Sequence, residues 1–453
     1  MQLERLAQAL DPARIVNTAP VEIADLAYDT RAVVPGALFF CVRGRQADGH
    51  LLAPDAVACG AAALVVEREL ELPVPQLIVA DTRRAMAPAA VAFFGDPSRE
   101  LDVAAVTGTA GKTTTAYLMH EILRAAGRRP GLLTNIERRV GGEARPATLN
   151  TPESIDLQRL FREMVDAGNT ACVMEATSHA SSLGRLDGVR FAVLVFTNLA
   201  HEHLDFHGSM EEYFQAKRRL FAQAEHAVVN GGDEWGRRLA AELPGAITFD
   251  ATRDRLDAEL SLHGRFNLEN ALGAAAAARA LGVGEDAIRE GIELVRGVPG
   301  RLEFVNEGQP FSVIVDYSHK PASLERVLLA ARELARGRVL CVFGCGGDRD
   351  REKRPLMGRI ASELADVAIV TSDNPRSEDP LAIIDEVVAG APELQVEPDR
   401  RSAIERALEA ARDGDVVLIA GKGHEQGQEF ADRTIPFDDR EVARELLRAL
   451  QPA

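Results

Sequence analysis

The chain has 453 residues, a hydrophobic fraction of 46%, a charged fraction of 27% and a formal net charge of −17 at pH 7. That length gives room for about three domains, each able to bury its own core. The acidic balance argues against sequence-independent nucleic-acid binding and against attraction to an anionic membrane surface, but not against a small anionic substrate held by local arginines. The start, Met1-Gln2-Leu3-Glu4-Arg5-Leu6, reads as an amphipathic helix rather than a signal peptide, and no apolar stretch approaches membrane-spanning length. Five scattered cysteines (Cys41, Cys59, Cys172, Cys341, Cys345) read as free thiols, four of them in apolar or glycine-rich runs. The expected compartment is the cytosol.

Between Val21 and Pro97 the pattern predicts short strands with one helix: Gly36–Val42, Ala61–Val66 and Gln76–Val79. Gly95-Asp96-Pro97-Ser98 is turn chemistry and a predicted linker. From Leu101 to Val298 strands alternate with helices, at Val103–Val106, Ala171–Met174, Phe191–Phe196 and Ala227–Asn230, which predicts a parallel sheet covered on both faces. The run Ala274–Ala278 reads as a packed helix. After Val298-Pro299-Gly300 a third alternating unit has strands at Val313–Val315, Val339–Phe343, Val367–Thr371 and Val416–Ala420. The fold class is therefore α/β, in three domains at 1–97, 98–298 and 299–453.

The strand Val103–Val106 runs into Thr107-Gly108-Thr109-Ala110-Gly111-Lys112-Thr113-Thr114-Thr115, followed by an amphipathic helix. Gly108 and Gly111 permit a tight turn that aims backbone N–H groups at phosphate oxygens, Lys112 reaches the outer phosphates, and Thr113 can hold Mg²⁺. The loop is two residues shorter than G-x-x-x-x-G-K-[ST], a variant phosphate loop that predicts ATP as ligand.

Other chemistry-bearing segments fall beyond strand ends, where open parallel sheets bind ligands. Glu175-Ala176-Thr177-Ser178-His179 follows one strand and Thr197-Asn198-Leu199-Ala200-His201-Glu202-His203-Leu204-Asp205-Phe206-His207 the next. A carboxylate and an imidazole cluster there could hold a hard cation; the histidines would also suit zinc, but a phosphate loop favours Mg²⁺. His201 and His207 read as helix-capping residues, His203 as the ligand. In the third part, Asp316–Pro321, Gly344–Arg351, Ser372–Arg376 and Gly421–Glu425 mix arginine with carboxylates, which suits the two charged ends of an amino acid, or else a solvated salt-bridge network at the sheet edge.

Taken together, Thr107–Thr115, Thr197-Asn198-Leu199 with His203-Leu204-Asp205, Tyr213–Lys217, Gly264–Ala271, Val298–Arg301 and Asp316–His319 resemble the Mur ligase family, in order and over essentially the whole chain. Asp29-Thr30-Arg31, Gly44-Arg45-Gln46-Ala47-Asp48-Gly49, Gly346–Asp350 and Asp373–Arg376 resemble the branch that adds the third peptide residue. The resemblance implies a small N-terminal UDP-sugar-binding domain, a central phosphate-loop ATPase domain and a C-terminal Rossmann-like amino-acid-binding domain. It implies a cytoplasmic monomer of peptidoglycan synthesis that uses ATP and Mg²⁺, forms an acyl phosphate on UDP-N-acetylmuramoyl-dipeptide, and joins it to an amine. By resemblance Thr113 and Glu175 hold one Mg²⁺, and Glu175, His203 and a carbamylated Lys217 a second. Gly108, Thr109, Ala110, Gly111, Lys112, Thr113, Thr114, Asn267, Asn270, Arg301 and Asp316 contact ATP; Asp29, Thr30, Arg31, Asn150, Thr151, Ser178 and Arg185 hold the UDP-sugar substrate. Arg349, Asp373, Asn374, Pro375, Arg376, Gly421 and Glu425 take the amino acid. Asp373-Asn374-Pro375-Arg376 implies meso-diaminopimelate, whose second carboxylate a guanidinium can pair.

The chain departs from the family pattern in several places. Ala200-His201-Glu202-His203 stands where Thr-Gln-Asp-His is usual, Asn150-Thr151-Pro152 where Thr-Thr-Pro is usual, and Asp316-Tyr317-Ser318-His319-Lys320-Pro321 in place of Asp-Tyr-Ala-His-Thr-Pro. Gln426-Gly427 replaces an aromatic after Glu425, and the segment between Asn230 and Gly264 is short. Three alternatives stand beside the main expectation: a paralogue adding L-lysine or another amino acid, a folylpolyglutamate- or cyanophycin-type ligase, and a non-catalytic nucleotide-binding homologue.

Overall fold

The computed structural model describes residues 1–44, 47–147 and 149–450; Arg45 and Gln46 of the predicted Gly44–Gly49 motif lie outside them. The chain forms two compact units: Met1–Leu199 with His207–Arg255 and Asn270–Gly291, and Ala200–Phe206 with Leu256–Glu269 and the chain from Ile292 on.

The first unit holds two sheets. The smaller contains β1 (Arg14–Val16), β2 (Asp25–Ala27), β3 (Ala37–Phe40), β4 (Ala63–Val66) and β5 (Gln76–Ile78), in the order β1-β5-β4-β3-β2. Only β1 runs antiparallel to its neighbour. Leu38 and Phe40 face a core with Leu3, Leu6 and Met86, and Ala37, Phe39 and Cys41 face one with Ala53 and Ala56. Alternate residues of one strand thus enter two cores, as expected of a sheet covered on both sides. Where one helix was predicted between Val21 and Pro97, two occur, Ala53–Ala58 and Thr82–Phe94; the first has only six residues, too few to carry a helical period.

The larger sheet comprises β6 (Asp102–Thr107), β7 (Pro130–Leu133), β8 (Glu137–Val140), β9 (Glu143–Pro146), β10 (Ala171–Glu175), β11 (Phe191–Phe196), β12 (Ala224–Asn230) and β13 (Ile247–Phe249). Its order is β13-β12-β11-β6-β10-β7-β8-β9, parallel from β13 to β7 with an antiparallel hairpin at the far edge. Every residue of β10 and β11 is buried, so apolar runs rather than alternation mark these strands. The order places the ends of β6, β10 and β11 side by side.

The second unit is built on β14 (Glu303–Val305), β15 (Ser312–Asp316), β16 (Val339–Phe343), β17 (Val367–Val370), β18 (Gln395–Val396) and β19 (Val416–Ala420), ordered β14-β15-β19-β16-β17-β18. Ile314, Cys341, Phe343 and Leu418 pack on one face, and Val313, Val315, Val342 and Ile419 on the other. A small hairpin, β20 (Gly427–Glu429) with β21 (Thr434–Pro436), follows β19. No described helix is long and apolar enough to cross a membrane.

Candidate functional site

In the first unit the turn from β6 into the helix Lys112–Ala125 is held from outside the loop. Thr109 N–H donates to the Asn198 carbonyl at 2.9 Å, Ala110 N–H to Asn198 Oδ1 at 2.9 Å, and Thr197 Oγ1 to the Ala110 carbonyl at 2.6 Å. Gly108 and Gly111 adopt φ of +147° and +86°. A Cβ on Gly108 would lie 1.9 Å from Thr197 Oγ1, and one on Gly111 2.2 Å from Asn270 Oδ1. Both glycines are therefore required by backbone conformation and by close packing. Lys112 Nζ folds back onto the carbonyls of Gly108 and Thr109, at 2.9 and 2.8 Å. Thr114 is buried, and Thr115 Oγ1 reaches Asn270 Oδ1 at 3.4 Å.

Below the loop, Thr113 Oγ1 lies 2.8 Å from Glu175 Oε1 and 3.1 Å from Asn135 Oδ1, with one proton to give to either. These hydroxyl, carboxylate and amide oxygens make a hard donor set suited to Mg²⁺. Among the described residues no group of three or more His, Cys, Asp or Glu side chains stands where it could hold a metal ion. Asn135 was missed by sequence reading because it sits in a turn between β7 and β8 with no motif around it.

Lys217 is not the solvent-facing lysine that a helical position allows. It is 1% exposed, its Nζ donates to the Gly108 carbonyl at 2.9 Å, and it lies 4.6 Å from the centre of the Tyr213 ring. Burial, reinforced by the nearby Lys112 ammonium, pushes its amine well below the usual lysine range. His207 is likewise not a helix cap: Ser209 caps the helix Met210–Arg218, accepting from Glu212 N–H. The His207 ring is buried, bonds Ser178 Oγ through Nε2 at 3.0 Å and stacks on Tyr213 at 5.0 Å. Tyr213 OH in turn meets Thr109 Oγ1 at 3.2 Å.

Thr151 and Arg185 come together with two residues the motifs did not suggest. Arg185 Nη1 donates to the Thr151 carbonyl at 3.1 Å, and its Nη2 pairs with Glu153 Oε1 at 2.9 Å, which Arg83 also reaches at 2.8 Å. Thr151 Oγ1 bonds the Glu175 carbonyl at 2.9 Å. Asn150 is exposed. Half-buried Asp29 and Thr30 and exposed Arg31 form a turn in which Asp29 accepts from Arg31 N–H at 2.9 Å; the adjacent Tyr28 OH bonds Asp156 at 2.6 Å.

His203, Asn267, Arg301, Asp316 and the amino-acid residues belong to the second unit. His201 is exposed there. Asn267 Nδ2 donates to the His263 carbonyl at 2.7 Å. Asp316, at the end of β15, accepts from Leu302 N–H at 2.7 Å, Ser318 N–H at 2.8 Å and Ser318 Oγ. Burial nonetheless raises its carboxyl above the usual range. Arg301 lies 4.4 Å from the Tyr317 ring centre. His319 Nδ1–H donates to the Tyr317 carbonyl at 2.7 Å, and burial, with Lys353 nearby, pushes the imidazole down to about 3, so the ring is neutral.

The loops after β16, β17 and β19 interlock. Asn374 Oδ1 accepts from the buried Lys422 Nζ at 2.8 Å and from Glu429 N–H at 3.0 Å, while its Nδ2 donates to Glu425 Oε2 at 2.8 Å. Arg376, at φ +52°, donates from Nη1 to the Gly347 carbonyl at 2.9 Å and pairs through Nε with Glu429 at 2.7 Å. Burial opposes ionisation of Asp373, but Lys422 and Arg400 hold its carboxyl below the usual range. Gly421 packs so closely that a Cβ there would lie 2.5 Å from Asp373 Oδ2. Arg349 is exposed and donates to the neighbouring Asp348 carbonyl at 3.1 Å. Lys422 and Glu429 escaped the motif reading, Lys422 although it stood inside the quoted run Gly421–Glu425.

Comparison with known proteins identifies the family. Residues 22–100 match the Mur ligase family catalytic domain, 106–253 the Mur ligase middle domain, and 300–423 the Mur ligase glutamate ligase domain. UDP-N-acetylmuramoyl-L-alanyl-D-glutamate--2,6-diaminopimelate ligase of Solibacter usitatus is 45% identical over 95% of this chain and 94% of its own. The protein of the same name from Halalkalibacterium halodurans is 43% identical over 99% of each chain. A solved structure of a ligase of that name superposes with a TM-score of 0.66 at 30% identity, covering 98% of both chains. The chain belongs to the Mur ligase family.

Proposed function

We propose that the protein is an ATP-dependent ligase that joins meso-diaminopimelate to UDP-N-acetylmuramoyl-L-alanyl-D-glutamate in peptidoglycan precursor synthesis. The observation that carries this reading is the phosphate loop whose Thr113 hydroxyl meets Glu175 at 2.8 Å, in a chain whose near-full-length relatives bear that activity in their names. Lys112 swings from the Gly108 and Thr109 carbonyls to the outer phosphates, and the loop N–H groups hold them in line with the substrate carboxylate. Thr113 and Glu175 would hold one Mg²⁺, and Glu175 and carbamylated Lys217, with His203 by the family resemblance, would serve a second; the ions would neutralise phosphoryl charge. Asn267, Asn270, Arg301 and Asp316 seat the nucleotide. Arg185, braced by Glu153 and Arg83, takes an anionic group of the UDP-sugar peptide beside Thr151 and Ser178, with Asn150 and Asp29–Arg31 at the sugar-nucleotide end. The division into 1–97, 98–298 and 299–453 assigns these tasks to three domains, working as a cytosolic monomer.

Amino-acid choice is assigned to Arg376, with Arg349, Asp373, Asn374, Pro375, Gly421 and Glu425 around it. Diaminopimelate carries one more carboxylate than lysine. A guanidinium waiting for that group stays without it when lysine binds, which costs about 1–3 kcal/mol. Arg376→Ala is therefore expected to lower the kcat/KM ratio of diaminopimelate over lysine by about 10²-fold, leaving the KM for ATP unchanged. Competing-substrate kinetics on wild type and variant check this; an unchanged ratio would remove Arg376 from the selectivity filter.

A further inference from the structure

Two of the positions at which the chain departs from the family pattern, Glu202 and Lys320, lie 118 residues apart in sequence and meet in the fold. Lys320 Nζ forms an ion pair with Glu202 Oε1, the same oxygen that His203 Nε2 contacts at 2.7 Å. All three residues belong to the second unit. The Glu202 side chain is 7% exposed, against 29% for Lys320 and 38% for His203.

Each end of this contact is anchored. Lys320 is the residue that precedes the helix Pro321–Leu334; its carbonyl accepts from Leu324 N–H at 2.8 Å and from Ser323 Oγ at 3.0 Å, so the lysine side chain starts from a fixed backbone. His203 holds φ at +57°, a conformation uncommon outside glycine, and its carbonyl accepts from Phe206 N–H at 3.1 Å. Glu202 stands between them. Its Oε1 lies 2.7 Å from the ring Nε2, so the position of the carboxylate and that of the imidazole are tied to each other. A buried carboxylate in that position requires a compensating cation, and Lys320 supplies it. The two departures also agree in chemistry: glutamate reaches one methylene further than the usual aspartate, and lysine puts an ammonium where the usual threonine has none.

We propose that the Lys320–Glu202 pair is a strap that holds segment 200–206 in place and, through Glu202, fixes the ring of His203. Glu202 and Lys320 are positioning residues. Their consequence for turnover rests on the reading of His203 as a Mg²⁺ ligand; the strap itself does not.

Hydrogen–deuterium exchange of the full-length protein, with no substrate added, tests the strap directly. Lys320→Thr and Glu202→Gln are each expected to speed exchange across residues 200–206 on the order of tenfold, and the double variant no more than either single one. Lys320→Arg is expected to restore protection. In steady-state assays Lys320→Thr is expected to raise the Mg²⁺ concentration for half-maximal rate by about tenfold at unchanged KM for the amino acid. Unchanged exchange in Lys320→Thr, or additive effects in the double variant, would overturn the strap. Faster exchange with an unaltered Mg²⁺ requirement would overturn the positioning of His203. A wild-type protein that ligates nothing would fail the functional reading, and the exchange experiment would still decide the strap.

Discussion

Lys112→Ala is expected to lower kcat for ATP-dependent ligation by about 10²–10⁴-fold while the protein stays folded. The residue opens the helix Lys112–Ala125, and its ammonium bonds the loop carbonyls of Gly108 and Thr109. At the head of that helix the ammonium is placed to meet charge as it develops on the transferring phosphoryl group. An interaction made mainly in the transition state is lost from kcat rather than from KM. The fold does not lean on it, because the loop is pinned by Thr197 and Asn198. Circular dichroism together with a phosphate-release assay checks both halves. A folded alanine variant with near wild-type turnover would contradict the loop assignment.

Lys217→Ala is expected to reduce activity by at least about 10²-fold, with partial recovery in acetate. A buried amine with a depressed pKa is neutral more of the time, and the neutral form is the one that adds CO₂. The product is a carbamate whose oxygens can serve a hard cation, where an ammonium would repel it. Falling pH protonates the amine, so the modification and the activity it supports should be lost on acidification. Acetate can enter the space vacated by the side chain and offer the same oxygens. The check is initial rate against acetate concentration for the variant, alongside ¹³C NMR of wild type in labelled bicarbonate. Full activity in the variant, or no carbamate signal, would contradict the assignment.

The parallel strands were legible because each is an apolar run long enough to be buried on both faces. Val103–Val106, Phe191–Phe196 and Val339–Phe343 appear within two residues of their observed limits. Among the strands that sequence reading passed over, Arg14–Val16 and Gln395–Val396 are too short to carry a period, and the exposed, polar Glu143–Pro146 is held as a local hairpin on Glu137–Val140. At the site, Gly108–Thr113 and Glu175 were legible because strand, loop and helix are contiguous. The brace of Arg83 and Glu153 on Arg185 was not, since its members lie 70 and 32 residues apart and only the packing of the helix Ser154–Asp166 brings them together. His207 shows the same limit. Its place beside His203 suggested a local cap, whereas its partners Ser178 and Tyr213 come from other elements.

The central claim is the identity of the amine. The direct measurement is product formation by mass spectrometry, with phosphate release, in ATP, Mg²⁺ and UDP-N-acetylmuramoyl-L-alanyl-D-glutamate, offering meso-diaminopimelate and L-lysine separately. The expected result is stoichiometric phosphate and tripeptide with diaminopimelate, at a kcat/KM about 10²-fold or more above that for lysine. A preference for lysine, or phosphate release that neither amino acid stimulates, would contradict the account.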